Sequence, residues 1–392
     1  MSLVFIVQTL LVGLVSAGLY LGFNQSLNYF DHLREQYPWI VFGLPLVFAV
    51  SYYIRNKTIY FPQKISDLEE SQNGESLSIW NRKMSLFHYA GACLAHLFGA
   101  SVGREGVIVM ATSGLITLAN WNLQFWIPVS ASIAFAVVTG SKWISVVFMI
   151  EMYVTNFQQK LLAFIGAWAG LLLLETFNSD KLFQILDFKD QSLLGDRLLF
   201  CLTLAVLCGF IAQGYKKLYF YLSSKYKKKF SISFVVVCAL AFIMYQENLR
   251  SLQSLSLGMI QYYLNTAQYV SNDLVLIGLK VLLTVFFVGL GFFGGEYVPL
   301  AMAGASLGVY LSHVFHVPVW FGLSLGAFLI LSGVTQLKWT FLFLALILSD
   351  WNYIILFYFT FSIANRIAGD ESLYFKNVRR KQVFQTNMFM FR

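Results

Sequence analysis

Gly99-Ala-Ser-Val-Gly-Arg-Glu-Gly106 and Gly291-Phe-Phe-Gly-Gly-Glu-Tyr-Val-Pro299 interrupt two hydrophobic runs. Each interruption is a glycine cluster with a glutamate at its end, and each is followed at once by more apolar sequence. A carboxylate inside a bilayer is costly and marks a pathway for ions or protons. Two of them at glycine-broken helix starts lead to the expectation of a protein that moves anions across a membrane.

The composition belongs to lipid rather than water. Hydrophobic residues make up 58% of the chain, charged residues only 12%, and mean hydropathy is +0.67, against roughly 25% charge in a soluble domain. Runs such as Leu3 to Phe23, Leu198 to Gln213 and Leu274 to Phe293 are near the length of roughly 20 residues that a spanning helix needs. Leu3 to Phe23 lacks a basic start and a small-residue cleavage site, so it reads as a span rather than a signal peptide. Cys93, Cys201, Cys208 and Cys238 all sit in apolar segments and read as buried thiols, with neither metal spacing nor a disulfide framework.

The net charge of +8 does not indicate nucleic acid, because the basic residues crowd short loops instead of an amphipathic face. Lys216, Lys217, Lys225, Lys227, Lys228 and Lys229 are read as one loop, and Lys376, Arg379, Arg380 and Lys381 as the tail. Under the positive-inside rule both are cytoplasmic, as are the termini. A Lys- and Phe-rich chain of this kind suits a bacterial inner membrane.

Apolar segments such as 105–118 and 339–350 are too short to cross a bilayer alone. Bounded by Gly or Pro, they look like broken or re-entrant helices that line a protein-buried cavity. The stretch from Glu175 to Arg197 balances acids against bases and divides the chain near its middle as an external linker. Each half then pairs a glycine break with a Gly-Ala-Ser-x-Gly run, Gly99 to Gly103 and Gly304 to Gly308. Matched interruptions point to a structural repeat with its binding site at the repeat interface, the halves running in opposite senses. The expected fold is an all-α polytopic membrane domain over 1–392, with a first half over 1–192, an inverted second half over 193–372 and a C-terminal helix over 373–392.

These residues resemble a known family. Gly103-Arg-Glu-Gly106, Lys280-x-x-x-Thr284, Gly294-Gly-Glu-Tyr-Val-Pro299 followed by Gly304-Ala-Ser-Leu-Gly308, and Ser372-Leu-Tyr374 are similar, in order, to signature elements of CLC anion channels and antiporters. Leu97 to Gly106, and Gly294-Gly-Glu296 with Pro299, are most similar to the fluoride/proton antiporter branch. The resemblance implies a CLC-like fold, transport of a small inorganic anion such as fluoride or chloride together with protons, a homodimer in lipid, and no cofactor or metal.

It also implies roles. Helix starts after Gly103 and Gly295 present unpaired N–H groups and the positive end of the helix dipole, able to hold a dehydrated anion. Glu105 is the implied gate: ionised, it competes with the anion for those donors; protonated, it swings away. Burial favours its neutral form and helix-end donors its charged form, so one residue can exchange protons in step with anions. The anion-facing set is Gly103, Arg104, Gly106 and Val107 at one start, Gly295, Glu296, Tyr297 and Val298 at the other, and the Tyr374 hydroxyl. Each has a plainer reading: Glu105 and Glu296 as favourable charges in a first helical turn, Arg104 as a structural ion pair, Tyr374 as an interface anchor, Lys280 as a helix-packing lysine, and Phe292 and Phe293 as packing rather than anion contacts.

The chain also departs from the family pattern. The position after Glu151, which holds an internal proton-transfer glutamate in transporters of chloride against protons, is Met152. No Gly-Ser-Gly-Ile-Pro run occurs in Ile54 to Lys83, Val298 stands where the fluoride branch shows threonine, and Lys142-Trp-Ile-Ser145 replaces Pro-Leu-Ala-Gly. The expected function is fluoride export coupled to proton entry. The alternatives are a passive chloride-type channel, an exchanger of another anion and, more distantly, an intramembrane hydrolase using Ser101 with His96. The nucleophile-elbow pattern at Gly99 to Gly103 lacks a preceding strand, and His88 and His96 lack zinc-helix spacing.

Overall fold

A computed structural model describes residues 3–57, 82–116, 121–153, 155–177, 194–225, 229–256 and 273–373. Over these residues the chain is helical, with short 3-10 helices at Pro38–Gly43, Glu247–Leu252 and Trp351–Tyr353 among the α-helices, apart from turns and one isolated bridge between two glycines. The helices up to the middle linker are α1 (Leu3–Gln36), α2 (Leu44–Lys57), α3 (Arg82–Leu97), α4 (Glu105–Leu115), α5 (Leu123–Thr139), α6 (Lys142–Met152) and α7 (Phe157–Thr176). Beyond it come α8 (Leu194–Lys225), α9 (Phe230–Tyr245), α10 (Asp273–Leu290), α11 (Tyr297–Val314), α12 (Val319–Thr335), α13 (Lys338–Leu348) and α14 (Ile354–Ala368).

Three of them, α1, α7 and most of α8, are long and apolar enough to cross a membrane. Helix α1 runs well past the expected apolar stretch, to Gln36, because no glycine or proline intervenes until Pro38, which cannot continue the helix. In contrast α4, α6 and α13 have only 11 residues each, about half of what a bilayer requires. Their ends therefore lie at membrane depth and must be covered by protein. That is observed for α4, where every residue from Val107 to Gly114 is buried. Outward faces carry apolar side chains instead: Phe157 is 79% and Ile355 70% exposed, as expected where the solvent is lipid.

Packing repeats itself between the two parts of the chain. Helix α1 packs on α3, α5 and α7, and α8 packs on α10, α12 and α14. Helix α5 touches α4, α6 and α7, while α12 touches α11, α13 and α14. The two sets meet where α4 contacts α11 and α6 contacts α13.

Small residues set the closest approaches. A Cβ on Gly304 would collide with the carbonyl oxygen of Gly326, and one on Gly308 with that of Gly322. Helices α11 and α12 thus pack backbone against backbone, as the four-residue glycine spacing leads one to expect in a membrane. Gly13 of α1 lies in the same way against Gly166 and Gly170 of α7.

Three of the lysines read as one loop, Lys216, Lys217 and Lys225, lie instead within α8. Lys216 is not a loop residue: it sits within α8, 2% exposed, and its Nζ donates to the carbonyls of Gly369 (3.0 Å) and Glu371 (2.6 Å). A long apolar helix that carries its basic cluster on its last turns places the first of those lysines against the backbone just after α14. Lys280 behaves as a backbone-bonding lysine, donating to the carbonyls of Leu252 (3.0 Å) and Ser254 (2.7 Å).

Candidate site at two facing helix starts

The two glycine breaks are bonded to each other. Gly103 N–H donates to the Gly295 carbonyl at 2.5 Å, and Gly295 N–H donates back to the Gly103 carbonyl at 2.9 Å. One residue beyond Gly103 lies Arg104, the N-cap of α4, and one beyond Gly295 lies Glu296, the N-cap of α11; neither donates or accepts a side-chain capping bond. The first-turn N–H groups of both helices thus face a shared junction without side-chain caps.

Glycine is required here for space as well as for backbone freedom. Gly294 has φ +130°, a conformation that side-chain-bearing residues rarely adopt. A Cβ on Gly103 would stand 2.9 Å from Glu105 Oε2 and 3.2 Å from the Gly295 oxygen. The bare backbone at residue 103 is what lets the glutamate side chain fold back over the bridge.

Glu105 is 1% exposed. Its Oε1 accepts from Arg104 Nε at 3.4 Å, whereas Oε2 makes no hydrogen bond. The carboxyl lies against its own backbone N–H and that of Val298 in the first turn of α11. Tyr297 is buried with its hydroxyl unbonded and within electrostatic reach of Glu105; its ring packs edge-on against Phe135 at 5.6 Å and against Phe341 at 5.7 Å. Glu296 is 6% exposed, and Val107 and Val298 are buried. The junction therefore gathers Gly103, Arg104, Glu105, Gly106, Val107, Gly295, Glu296, Tyr297 and Val298. Tyr374 and the basic tail lie outside the described residues, as does most of the stretch from Ile54 to Lys83.

Apart from its Nε on Glu105, the Arg104 guanidinium is directed away from the junction. Its Nη1 donates to Asn24 Oδ1 and its Nη2 to Tyr20 Oη at 3.1 Å, and the guanidinium lies 4.8 Å from the centroid of the Tyr20 ring. Both partners come from α1, and neither was singled out by sequence motifs. The available signal was Asn24 itself, a polar residue directly after an apolar run. Arg34, on the continuation of α1, donates to the carbonyls of His96 and Leu97 at the end of α3. Ser101 Oγ pairs with Thr284 Oγ1 at 2.9 Å and His96 Nδ1 with Ser254 Oγ at 2.9 Å, so these two residues do not form a nucleophile–base pair.

A third helix start shows the contrast. Glu151, at the end of α6, accepts from Trp339 N–H (3.0 Å), Thr340 N–H (2.8 Å) and Thr340 Oγ1 (2.8 Å). This carboxylate closes the N-terminus of α13 and ties the two parts of the chain together. Next to it, Met152 is fully buried. Replacing Glu151 with Ala leaves buried donors unsatisfied, at an expected cost of about 2–4 kcal/mol. Thermal unfolding in detergent should fall clearly for Glu151→Ala and less for Glu151→Gln, which keeps an acceptor oxygen; equal stability of all three proteins would contradict the cap.

The sequence profile of the voltage gated chloride channel family matches residues 42–369. The chain belongs to that family. No curated protein sequence matches it. Among solved structures, this CLC chain is similar to a CLC-type fluoride/proton antiporter, with 21% identity, a TM-score of 0.81, and 95% of this chain and 96% of the other covered. It is equally similar in fold, at TM-score 0.81 and 16% identity with full coverage of both chains, to a slow cyanobacterial chloride/proton antiporter. A eukaryotic CLC transporter aligns at TM-score 0.72 and 13% identity, with 98% of this chain and 74% of that one covered. The CLC fold of broken helices in two inverted halves is thereby established for an integral membrane protein.

Proposed function

We propose that this CLC protein exports fluoride in exchange for protons, with Glu105 as gate and proton carrier. The supporting observation is the Gly103–Gly295 bridge, which sets two helix starts without side-chain caps against one buried carboxyl group. Ionised Glu105 occupies the N–H groups of α4 and α11 as a tethered anion. Once protonated, it has no net charge to offer them, and a dehydrated anion takes its place. Each exchange passes one proton-bearing side chain and one anion through the same donors, which couples the two flows. Glu296, at the second start, is the further acid of the path, and Tyr374 is assigned the hydroxyl on the central anion. The halves over 1–192 and 193–372 carry one start each, and the working unit is a homodimer in the cell membrane.

Fluoride is favoured over chloride by Gly294-Gly-Glu296 with Pro299 and by Met152 at the internal position. Purified protein in liposomes provides the test. Fluoride efflux followed by electrode should be accompanied by proton uptake and should exceed chloride efflux by about tenfold or more, equivalent to ~1.4 kcal/mol of discrimination. Rapid chloride efflux without proton movement would instead identify a passive chloride-type channel.

A further inference from the structure

The three nitrogens of the Arg104 guanidinium go to three different residues. Nε donates to Glu105 Oε1 at 3.4 Å, Nη1 to Asn24 Oδ1, and Nη2 to Tyr20 Oη at 3.1 Å. The guanidinium carbon also lies 4.8 Å from the centroid of the Tyr20 ring. Arg104 and Tyr20 are buried and Asn24 is half-buried. Tyr20 and Asn24 stand four residues apart on α1, so they share one of its faces, and α1 packs on α4.

A guanidinium is a planar fork, and beside a carboxylate it commonly makes two parallel N–H bonds. Here Glu105 receives one long bond and its Oε2 receives none, while both Nη groups are held by neutral oxygens of α1. Among the described residues Glu105 is the acid paired with Arg104. A gate clamped by two short charge-assisted bonds would release slowly. One long bond keeps the positive charge nearby and still lets the carboxyl leave. We propose that Tyr20 and Asn24 are positioning residues for the gate: by occupying the broad end of the Arg104 fork, they keep the arginine from locking ionised Glu105. They thereby set the pH at which the gate exchanges its proton. The inference rests on the reading of Glu105 as gate, and adds two residues that make no hydrogen bond to its carboxyl. The other helices packed on α4 bring few ionisable groups. Helix α5 has none. Helix α3 brings His88 against the Phe293 ring, Tyr89 on the Leu19 carbonyl and His96 on Ser254 Oγ. Helix α11 brings Tyr297 and its N-cap Glu296, and on α1 itself Asp31 pairs with Arg34. All of these stay constant in the variants below, so a difference between variants reports on the fork.

Asn24→Asp and Tyr20→Phe in liposomes are the test, with fluoride efflux and proton uptake recorded across a pH series. In Asn24→Asp a carboxylate of the same shape neutralises the guanidinium, so the gate keeps its proton to higher pH. The pH of half-maximal transport should rise by about one unit, the scale of one lost opposite charge. In Tyr20→Phe the ring stays while Nη2 loses its oxygen and turns to the unbonded Oε2. The half-maximal pH should then fall, and both flows should slow together by about tenfold with their ratio unchanged, the worth of one charge-assisted hydrogen bond. A purely structural anchor predicts lower thermal stability with the pH profile unmoved. An unmoved half-maximal pH in Asn24→Asp, or movement in the same direction in both variants, overturns the proposal. If aspartate at 24 unfolds the protein, Tyr20→Phe decides alone, and an unmoved profile there refutes it. Glu105→Gln separates the two readings. Proton uptake that survives it removes the gate and this inference together, whereas uncoupling by Glu105→Gln with unmoved profiles in the α1 variants removes this inference alone.

Discussion

Glu105→Gln is expected to lower proton movement by about a hundredfold or more, the scale of losing a positioned proton-transfer group, while anion movement down its gradient persists. Glutamine nearly matches glutamate in shape but cannot exchange a proton across the working pH range. The junction should tolerate the amide sterically, since Arg104 Nε approaches one carboxyl oxygen at 3.4 Å and the other oxygen makes no hydrogen bond. Ionised glutamate competes for the first-turn donors of α11, and a neutral amide competes less well. The variant should therefore resemble a gate held open: anion efflux without proton uptake, in liposomes where an ion electrode and a pH electrode record both flows. Undiminished proton uptake in Glu105→Gln would exclude this residue as the carrier, whatever the anion.

The largest effect on stability is expected at Gly308. A Cβ there meets the carbonyl oxygen and carbon of Gly322, and Gly322 in turn faces the Gly308 carbonyl and Ser312 Oγ. Backbone cannot rotate away as a side chain can, so α11 and α12 must separate along their whole contact. Overpacking a close-packed interior costs about 1–3 kcal/mol when side chains can still adjust, and a backbone collision exceeds that range. Gly308→Leu should fail to give monodisperse protein in detergent, and Gly308→Ala should unfold at a markedly lower temperature. Gly18→Ala is the control: nothing lies within 4 Å of its Cβ position, and alanine has the better helix propensity by about 1 kcal/mol. Equal thermal stability of Gly308→Ala and Gly18→Ala would refute the backbone contact. Because α11 begins at the junction, partial rescue of Gly308→Ala by low temperature should leave its transport slower than wild type.

Much of this protein is legible along the chain. Run lengths and composition identify lipid as the solvent. Glycine clusters mark where helices restart, and α4 and α11 begin within two residues of Gly103 and Gly295, where helix starts were read from sequence. Glu105 and Glu296 stood out because a carboxylate within apolar sequence is rare enough to require a purpose. The partners of Arg104 were not legible, since Tyr20 and Asn24 look like ordinary members of a long first helix. Lys216 was misread as a loop residue because its neighbours in sequence are lysines, whereas its neighbours in space are the carbonyls of Gly369 and Glu371. Glu151 had a family pattern to mark it but no sequence reason to cap α13, a helix 188 residues away along the chain.

Membrane class, the places where helices break and the residue types at the breaks are local properties, set by hydrophobic run length and by the backbone freedom of glycine, so they can be read from residue order. The pairing of Gly103 with Gly295, the turning of Arg104 toward α1 and the burial of Lys216 against the carbonyls of Gly369 and Glu371 depend on which surfaces pack together. Those contacts join residues far apart in the chain, and their geometry is fixed by close approach between helices, down to the missing Cβ atoms of Gly304, Gly308, Gly322 and Gly326. A carboxylate becomes a candidate gate only when folding brings a second helix start against the first.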